Sequence, residues 1–318
     1  MIAFGPVPSR RLGQSLGINN IPPKHCSYDC VYCQVGPTTD QDLTRRAFFK
    51  PQAIFESVRQ RVDEVQGAGG SIDYLTIVPD GEPTLDLNLA ETIELLRPLG
   101  IKIAVITNAS MLWREEVRTE LMQADCVSLK MDAVDEAIWR QVNRPNPDLS
   151  LPAILEGALA FAKTFKGLLI TETMLVRDTN DHPESVQATA AFLARLQPDV
   201  AYLAVPTRPP SEGWAQAPDE AALTRAYQIF VDEGVNTEVL IGYSADTFTA
   251  GGDVVQNLLN ITSVHPMRES EAIDFLRQGH LDAGKLQELV AQEQLVRVEH
   301  DGIPFYVRKL QVKDTAGE

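Results

Sequence analysis

Cys26, Cys30 and Cys33, in the segment KHCSYDCVYCQ, are the residues of this chain best suited to chemistry. Their spacing is C-x3-C-x2-C, and the only other cysteine of the chain is Cys126. Four cysteines in 318 residues are too few for a disulfide framework, so the crowding points to a metal. Three readings compete. Separations of four and three residues put the thiols on one side of a helix, where free cysteine packs as a small hydrophobe, although three thiols on a polar loop make a poor core pattern. In the second reading Cys30 and Cys33 form a zinc knuckle. A closed zinc site draws on a second ligand pair, and the rest of the chain offers only Cys126 and the scattered His182, His265, His280 and His300. In the third, three thiolates hold three irons of a cubane and leave the fourth iron open to an external ligand. An incomplete ligand set of that kind marks chemistry rather than structure.

The elements around the loop must position it. From residue 14 onward, short β-branched or apolar runs alternate with stretches at helical spacing, the pattern of a parallel α/β sheet. Strands are expected near 15–19, 72–79, 101–108, 126–132, 167–176 and 199–207. Helices are expected near 51–66, where Pro51 suits a first turn, and near 87–98, 112–123, 150–165, after Asp181, and over 218–233. Six such units with near-continuous apolar strands predict a partial (β/α)6 TIM-like barrel, with an open doubly wound sheet as the alternative. The site of a barrel lies at the strand C-termini, where Asp80-Gly81-Glu82, Thr107-Asn108, Lys130, Asp132 and Glu172-Thr173 accumulate. Beyond residue 264, two amphipathic helices (269–278 and 282–292) precede two alternating strands joined through Asp301-Gly302. That order predicts a winged-helix-like module. The expected domains are 1–264, with the cluster loop at 24–36, and 265–318.

The cysteine segment, with Tyr32 before its last cysteine, resembles the motif of the radical S-adenosylmethionine (SAM) superfamily. Asp80-Gly81-Glu82-Pro83, one βα unit later, looks like the superfamily's GGEP motif with aspartate in place of the first glycine. The resemblance implies a [4Fe-4S] cluster on Cys26, Cys30 and Cys33, with SAM chelating the open iron. One electron entering the sulfonium would then give a 5'-deoxyadenosyl radical that takes hydrogen from substrate. It further implies that Gly81, Glu82, Pro83 and nearby carbonyls meet the SAM ammonium, and that Tyr32 packs on adenine. Asn108, Lys130, Asp132 and Glu172 are then expected at the ribose or carboxylate, the alternative for each being a strand-end side chain bonded to a loop amide. An external electron donor such as flavodoxin or ferredoxin is implied too.

The whole stretch FGPVPSRRLGQSLGINNIPPKHCSYDCVYCQ is similar to a narrower group related to the wyosine-forming tRNA enzymes. Those enzymes carry a second cluster on cysteines further toward the N-terminus, and this sequence has none before Cys26. Only Cys126 remains outside the motif, so a second cubane lacks protein ligands. The expected activity is therefore radical SAM modification of an unidentified substrate, with an RNA base as the subsidiary choice. The reading from a different class is a non-catalytic iron-sulfur sensor acting through the C-terminal module.

Charge and hydropathy narrow the partners. The formal charge is -16, yet residues 1–50 carry six basic against three acidic side chains. Arg10, Arg11, Lys24, Arg45 and Arg46 flank the cysteines and suit a phosphate or carboxylate, or else offset acidic neighbours. The acidic tail argues against duplex DNA, whose binding depends on phosphate neutralisation. No uncharged apolar run approaches the ~18 residues of a membrane span, and Pro6, Pro8 and the arginines that follow do not suit a signal peptide. A soluble, cytoplasmic protein is expected.

Overall fold

The computed structural model describes residues 1–9, 11–38, 41–240, 254–264, 267–300 and 303–308. An eight-stranded sheet runs through it in chain order: β1 (Ala3–Ser9), β2 (Gly13–Ile18), β3 (Tyr74–Ile77), β4 (Lys102–Thr107), β5 (Cys126–Lys130), β6 (Leu168–Met174), β7 (Val200–Ala204) and β8 (Thr237–Leu240). β1 and β2 pair antiparallel, and all later neighbours pair parallel. The connections hold α1 (Pro51–Gly67), α2 (Leu89–Leu96), α3 (Glu115–Leu121), α4 (Glu136–Val142), α5 (Leu151–Thr164), α6 (Pro183–Leu196) and α7 (Glu220–Asp232). The sheet curls into a half-barrel, so the α/β class and the parallel order agree with the sequence.

The apolar pattern does not disclose β1, β8 or α4. β1 contains Pro6 and Pro8, which lack a ladder donor and are tolerated because the strand lies at the sheet edge. β8 is four residues long with only Thr237 buried. α4 is seven residues, opened by Asp135, whose side chain accepts from the N–H groups of Ala137 and Ile138.

The strands are also less uniformly apolar than expected, because their two faces differ. One face, with Ile103, Val105, Val127, Leu129, Leu169 and Leu203, joins Ile54 and Val58 of α1 and Leu193 of α6 in the main core. On the other, Ala104, Cys126, Ile170 and Tyr202 close around Leu12 from the turn between β1 and β2. Side chains alternate along a strand, so Ser128 and Lys130 follow Cys126 on this inner face, and Glu172 follows Ile170. Burying Leu12 contributes roughly 2 kcal/mol and anchors the turn there.

By internal packing the chain divides into Met1–Tyr243 and Ser244–Glu318, whereas the sequence places the boundary at 264/265. The second unit runs α8 (Val254–Val264), β9 (Met267–Arg268), α9 (Glu269–Gln278), α10 (Gly284–Ala291), β10 (Leu295–His300) and β11 (Ile303–Arg308). α8 lies on the barrel side of the expected boundary but packs against α9 and β11, which moves the division toward the N-terminus. The small sheet has the order β10-β11-β9, with β10 and β11 in hairpin register from Leu295 opposite Arg308 to His300 opposite Ile303. The Asp301-Gly302 connection, His265 and the tail from Lys313 lie outside the described residues. Among the described residues, no helix is long and apolar enough to cross a membrane.

Candidate functional site

The loop after β2 carries the free cysteines Cys26, Cys30 and Cys33, residues that are half-buried, and it is gripped from two sides. On one side lies the turn after β3. Lys24 donates its N–H to the Asp80 carbonyl at 2.8 Å, and Glu82 donates its N–H to the His25 carbonyl at 2.9 Å. A Cβ on Gly81 would stand 2.1 Å from the His25 carbonyl oxygen, so a residue without a side chain is required there. On the other side lies the segment leaving α4. The Val31 N–H reaches the Val142 carbonyl at 3.0 Å, that of Asp29 is shared between the carbonyls of Asn143 and Arg144 at 3.1 Å each, and that of Asn146 reaches Ser27 at 2.9 Å. The Lys24 ammonium donates to the Gly36 carbonyl, drawing the two ends of the loop together.

Two side-chain amides reach the sulfurs. Asn108 Nδ2 stands 3.6 Å from Cys26 Sγ, and Asn143 Nδ2 stands 3.5 Å from Cys30 Sγ. Burial pushes all three thiols up, Cys30 to about 12; the neighbouring Cys30 adds to the effect on Cys26, and Asp132 adds to that on Cys30. A thiolate here therefore calls for a cation against it, and bound iron is one. Among the described residues, no three His, Cys, Asp or Glu are arranged to hold a single metal ion.

Glu82 is buried and engaged within the protein. Its Oε1 accepts from the Thr84 N–H at 3.0 Å and from the hydroxyls of Thr84 at 2.5 Å and Thr107 at 2.6 Å, while Oε2 accepts from the Asn108 N–H at 2.7 Å. Burial raises its pKa in spite of these bonds. The carboxylate thus ties the turn after β3 to the end of β4. Likewise Gly81 makes room for the cluster loop's own backbone. Pro83 begins a short 3-10 turn, its carbonyl accepting from Asn20 Nδ2 at 3.0 Å.

Tyr32, Lys130, Asp132 and Glu172 come together as one network. The Tyr32 hydroxyl donates to Asp132, which also accepts from Asn143 Nδ2 at 2.6 Å and from the Met174 N–H at 2.8 Å. The Lys130 ammonium lies 4.9 Å from the Tyr32 ring centroid and pairs with Glu172, whose other oxygen pairs with Arg11. Burial opposes the Glu172 charge, yet Arg11 and Lys130 beside it bring its carboxyl down to about 2. Burial also opposes the Lys130 charge, and Glu172 and Asp132 together outweigh it to raise the ammonium. Asn108, Lys130, Asp132 and Asn143 line a small cavity with Trp139 and Ile154.

Sequence reasoning missed Asn143, whose side chain touches Cys30, Asp132 and the Tyr32 hydroxyl, at 3.4 Å for the last. Its signal is slight: an Asn-Arg-Pro-Asn run closing a short helix. Of the five basic residues, the four that are described do not assemble as an anion receptor. Arg45 is committed to Glu120 and to the carbonyls of Thr84 and Asp86, Arg46 to Asp42, and Lys24 to Gly36. Arg10 lies outside the described residues, and Arg11 turns to the inner face. Cys126 is buried around Leu12, consistent with an ordinary core thiol.

A half-barrel whose first parallel strand runs into a C-x3-C-x2-C loop defines the class, and the chain belongs to the radical SAM superfamily, matched over residues 20–193. Enzymes of this superfamily use a [4Fe-4S] cluster and SAM and generally take an electron from an external reductant. Within it, the chain is 47% identical over 315 residues to a UPF0026 protein of Methanocaldococcus jannaschii, covering 98% of each. It is 33% identical over 199 residues to a UPF0026 protein of Helicobacter pylori, covering 61% of this chain and 63% of the other. Among solved structures, it resembles TYW1 with a lysine-pyruvate adduct bound, with TM-score 0.55 and 16% identity over 73% of this chain and 77% of that one. It also resembles Streptococcus suis SuiB bound to precursor peptide SuiA, with TM-score 0.53 and 17% identity over 70% and 48% of the chains. At these identities the structural likeness is one of fold.

Proposed function

We propose that this radical SAM enzyme holds one [4Fe-4S] cluster on Cys26, Cys30 and Cys33 and modifies a substrate of which an RNA base is the subsidiary choice. The observation that carries the reading is the grip on the cluster loop, with an amide on each of two sulfurs. When bound, the cluster and SAM supply one-electron radical chemistry. The chain's own residues do the rest. Asn108 and Asn143 stabilise thiolate over thiol, and Gly81 lets the turn after β3 hold the loop. Tyr32, Lys130 and Asp132 offer a ring and fixed charges to a nucleoside bearing an amino acid, and Glu172 holds the Lys130 ammonium beside them. A single cluster is favoured because Cys126 is buried among apolar side chains, apart from the loop.

A flavodoxin or ferredoxin is the reductant we favour. The C-terminal segment, with its helix, strand, two helices and hairpin, supports a winged-helix-like module, and its acidic balance favours a protein or peptide contact over duplex DNA. The test is anaerobic reconstitution with iron and sulfide, followed by reduction and electron paramagnetic resonance with and without SAM. A cubane signal that changes on SAM addition, with release of 5'-deoxyadenosine, is expected. Zinc in place of a cluster would overturn the reading, and SAM binding without nucleoside release would favour a sensor.

A further inference from the structure

Arg11 stands on the turn between β1 and β2, and its guanidinium crosses the inner face to Ser128 of β5 at 3.4 Å and to Glu172 of β6. Lys130 and Glu172 are neighbours by ladder register, so their ion pair follows from the sheet alone. Arg11 is the third party. It takes one carboxylate oxygen while Lys130 takes the other, and the side chains of Arg11 and Lys130 stay 18% and 20% exposed. Asp132 is the other charge facing Lys130, but Tyr32, Asn143 and Met174 occupy its oxygens. Two cations thus oppose two carboxylates and these four groups balance. Without Arg11, Lys130 faces both carboxylates, and the wall acquires a negative charge that repels anions.

We propose that Arg11 is a positioning residue: by sharing Glu172 it keeps that carboxylate from neutralising Lys130, which remains able to receive a carboxylate or phosphate of a ligand on the inner face. The inference rests on reading that face as the cofactor and substrate site. The anion has two sources, the SAM carboxylate or a group on the substrate.

The experiment is equilibrium dialysis of reconstituted protein against SAM and decarboxylated SAM, together with the shift in Tm produced by inorganic phosphate. Arg11→Met is expected to weaken SAM binding about tenfold. Adding Glu172→Gln to it restores the charge balance and is expected to return affinity to within about twofold of wild type. Glu172→Gln alone should bind at least as tightly as wild type, and Arg11→Lys, which keeps the charge, should bind like it. If the SAM carboxylate is the anion, decarboxylated SAM ignores these changes. If the anion belongs to the substrate, both compounds ignore them, and the phosphate-induced shift in Tm follows the same order across the variants. A double variant as weak as Arg11→Met in both the SAM and phosphate measurements would overturn the proposal, since a scaffold role gives no rescue. Loss of SAM binding in wild type would count against the cofactor reading, and the phosphate measurement then decides the role of Arg11.

Discussion

At Gly81 the chain meets itself backbone to backbone, and a methyl group there would press on the His25 carbonyl at 2.1 Å. No rotamer relieves such a clash, so Gly81→Ala is expected to cost about 1–3 kcal/mol, felt first in the cluster loop. Reconstituted variant should lose iron to a chelator several times faster than wild type, and equal rates would refute this account. Cys30→Ala removes a ligand outright and should abolish cubane assembly; normal iron and sulfide content in that variant would sink the ligand assignment. Asn143 acts through an N–H group aimed at sulfur. Hydrogen bonds to sulfur help set the potential of a cluster, so Asn143→Leu should move the midpoint to more negative values. It also leaves Asp132 short of a buried donor, at a cost of about 1–3 kcal/mol. An unchanged potential would remove Asn143 from the cluster's surroundings.

Between β5 and β6, one carboxylate couples the inner face to the stability of the sheet. The Glu172 carboxyl is lowered from its ordinary 4.5 to about 2 in the folded protein. A depressed folded value contributes stability above 4.5 that is lost as the pH falls to about 2, roughly 3 kcal/mol in all. In urea unfolding, wild type should exceed Glu172→Gln near neutrality and converge on it near pH 2, whereas parallel curves would contradict the ion-pair account. This coupling also marks where the sequence stops being legible. The cysteine spacing, the GEP turn and the six strands are local patterns and can be read directly. Lys130 and Glu172 are visible as strand ends but not as partners, because pairing depends on register. Arg11 reaches them through a tertiary fold led by β1, a strand disguised by Pro6 and Pro8. Glu82 is legible as a motif residue, but its bonds to Thr84, Thr107 and Asn108, which hold strand ends together, are tertiary and are not.

The whole molecule carries a formal charge of -16, and only its N-terminal fifty residues are net positive. Nucleic acid binding draws most of its sequence-independent affinity from neutralised phosphates and the counterions they release. Here Lys24, Arg45 and Arg46 are bonded within the protein, and Arg11 points to Glu172, so among the described residues few of the N-terminal cations that flank the cysteines remain for a phosphate backbone. Duplex DNA should therefore not be retained in a mobility-shift assay even at low salt. A tRNA substrate would have to be held by its unpaired bases, through stacking and hydrogen bonds that salt screens little. The expected result for the RNA reading is retention of tRNA with a shallow dependence on salt. A steep slope shared with duplex DNA would reveal a basic surface that these pairings argue against. No retention of tRNA at low salt would remove RNA as the substrate and direct the search to peptides or small anions, for which the balance among Arg11, Lys130, Glu172 and Asp132 is the more telling feature.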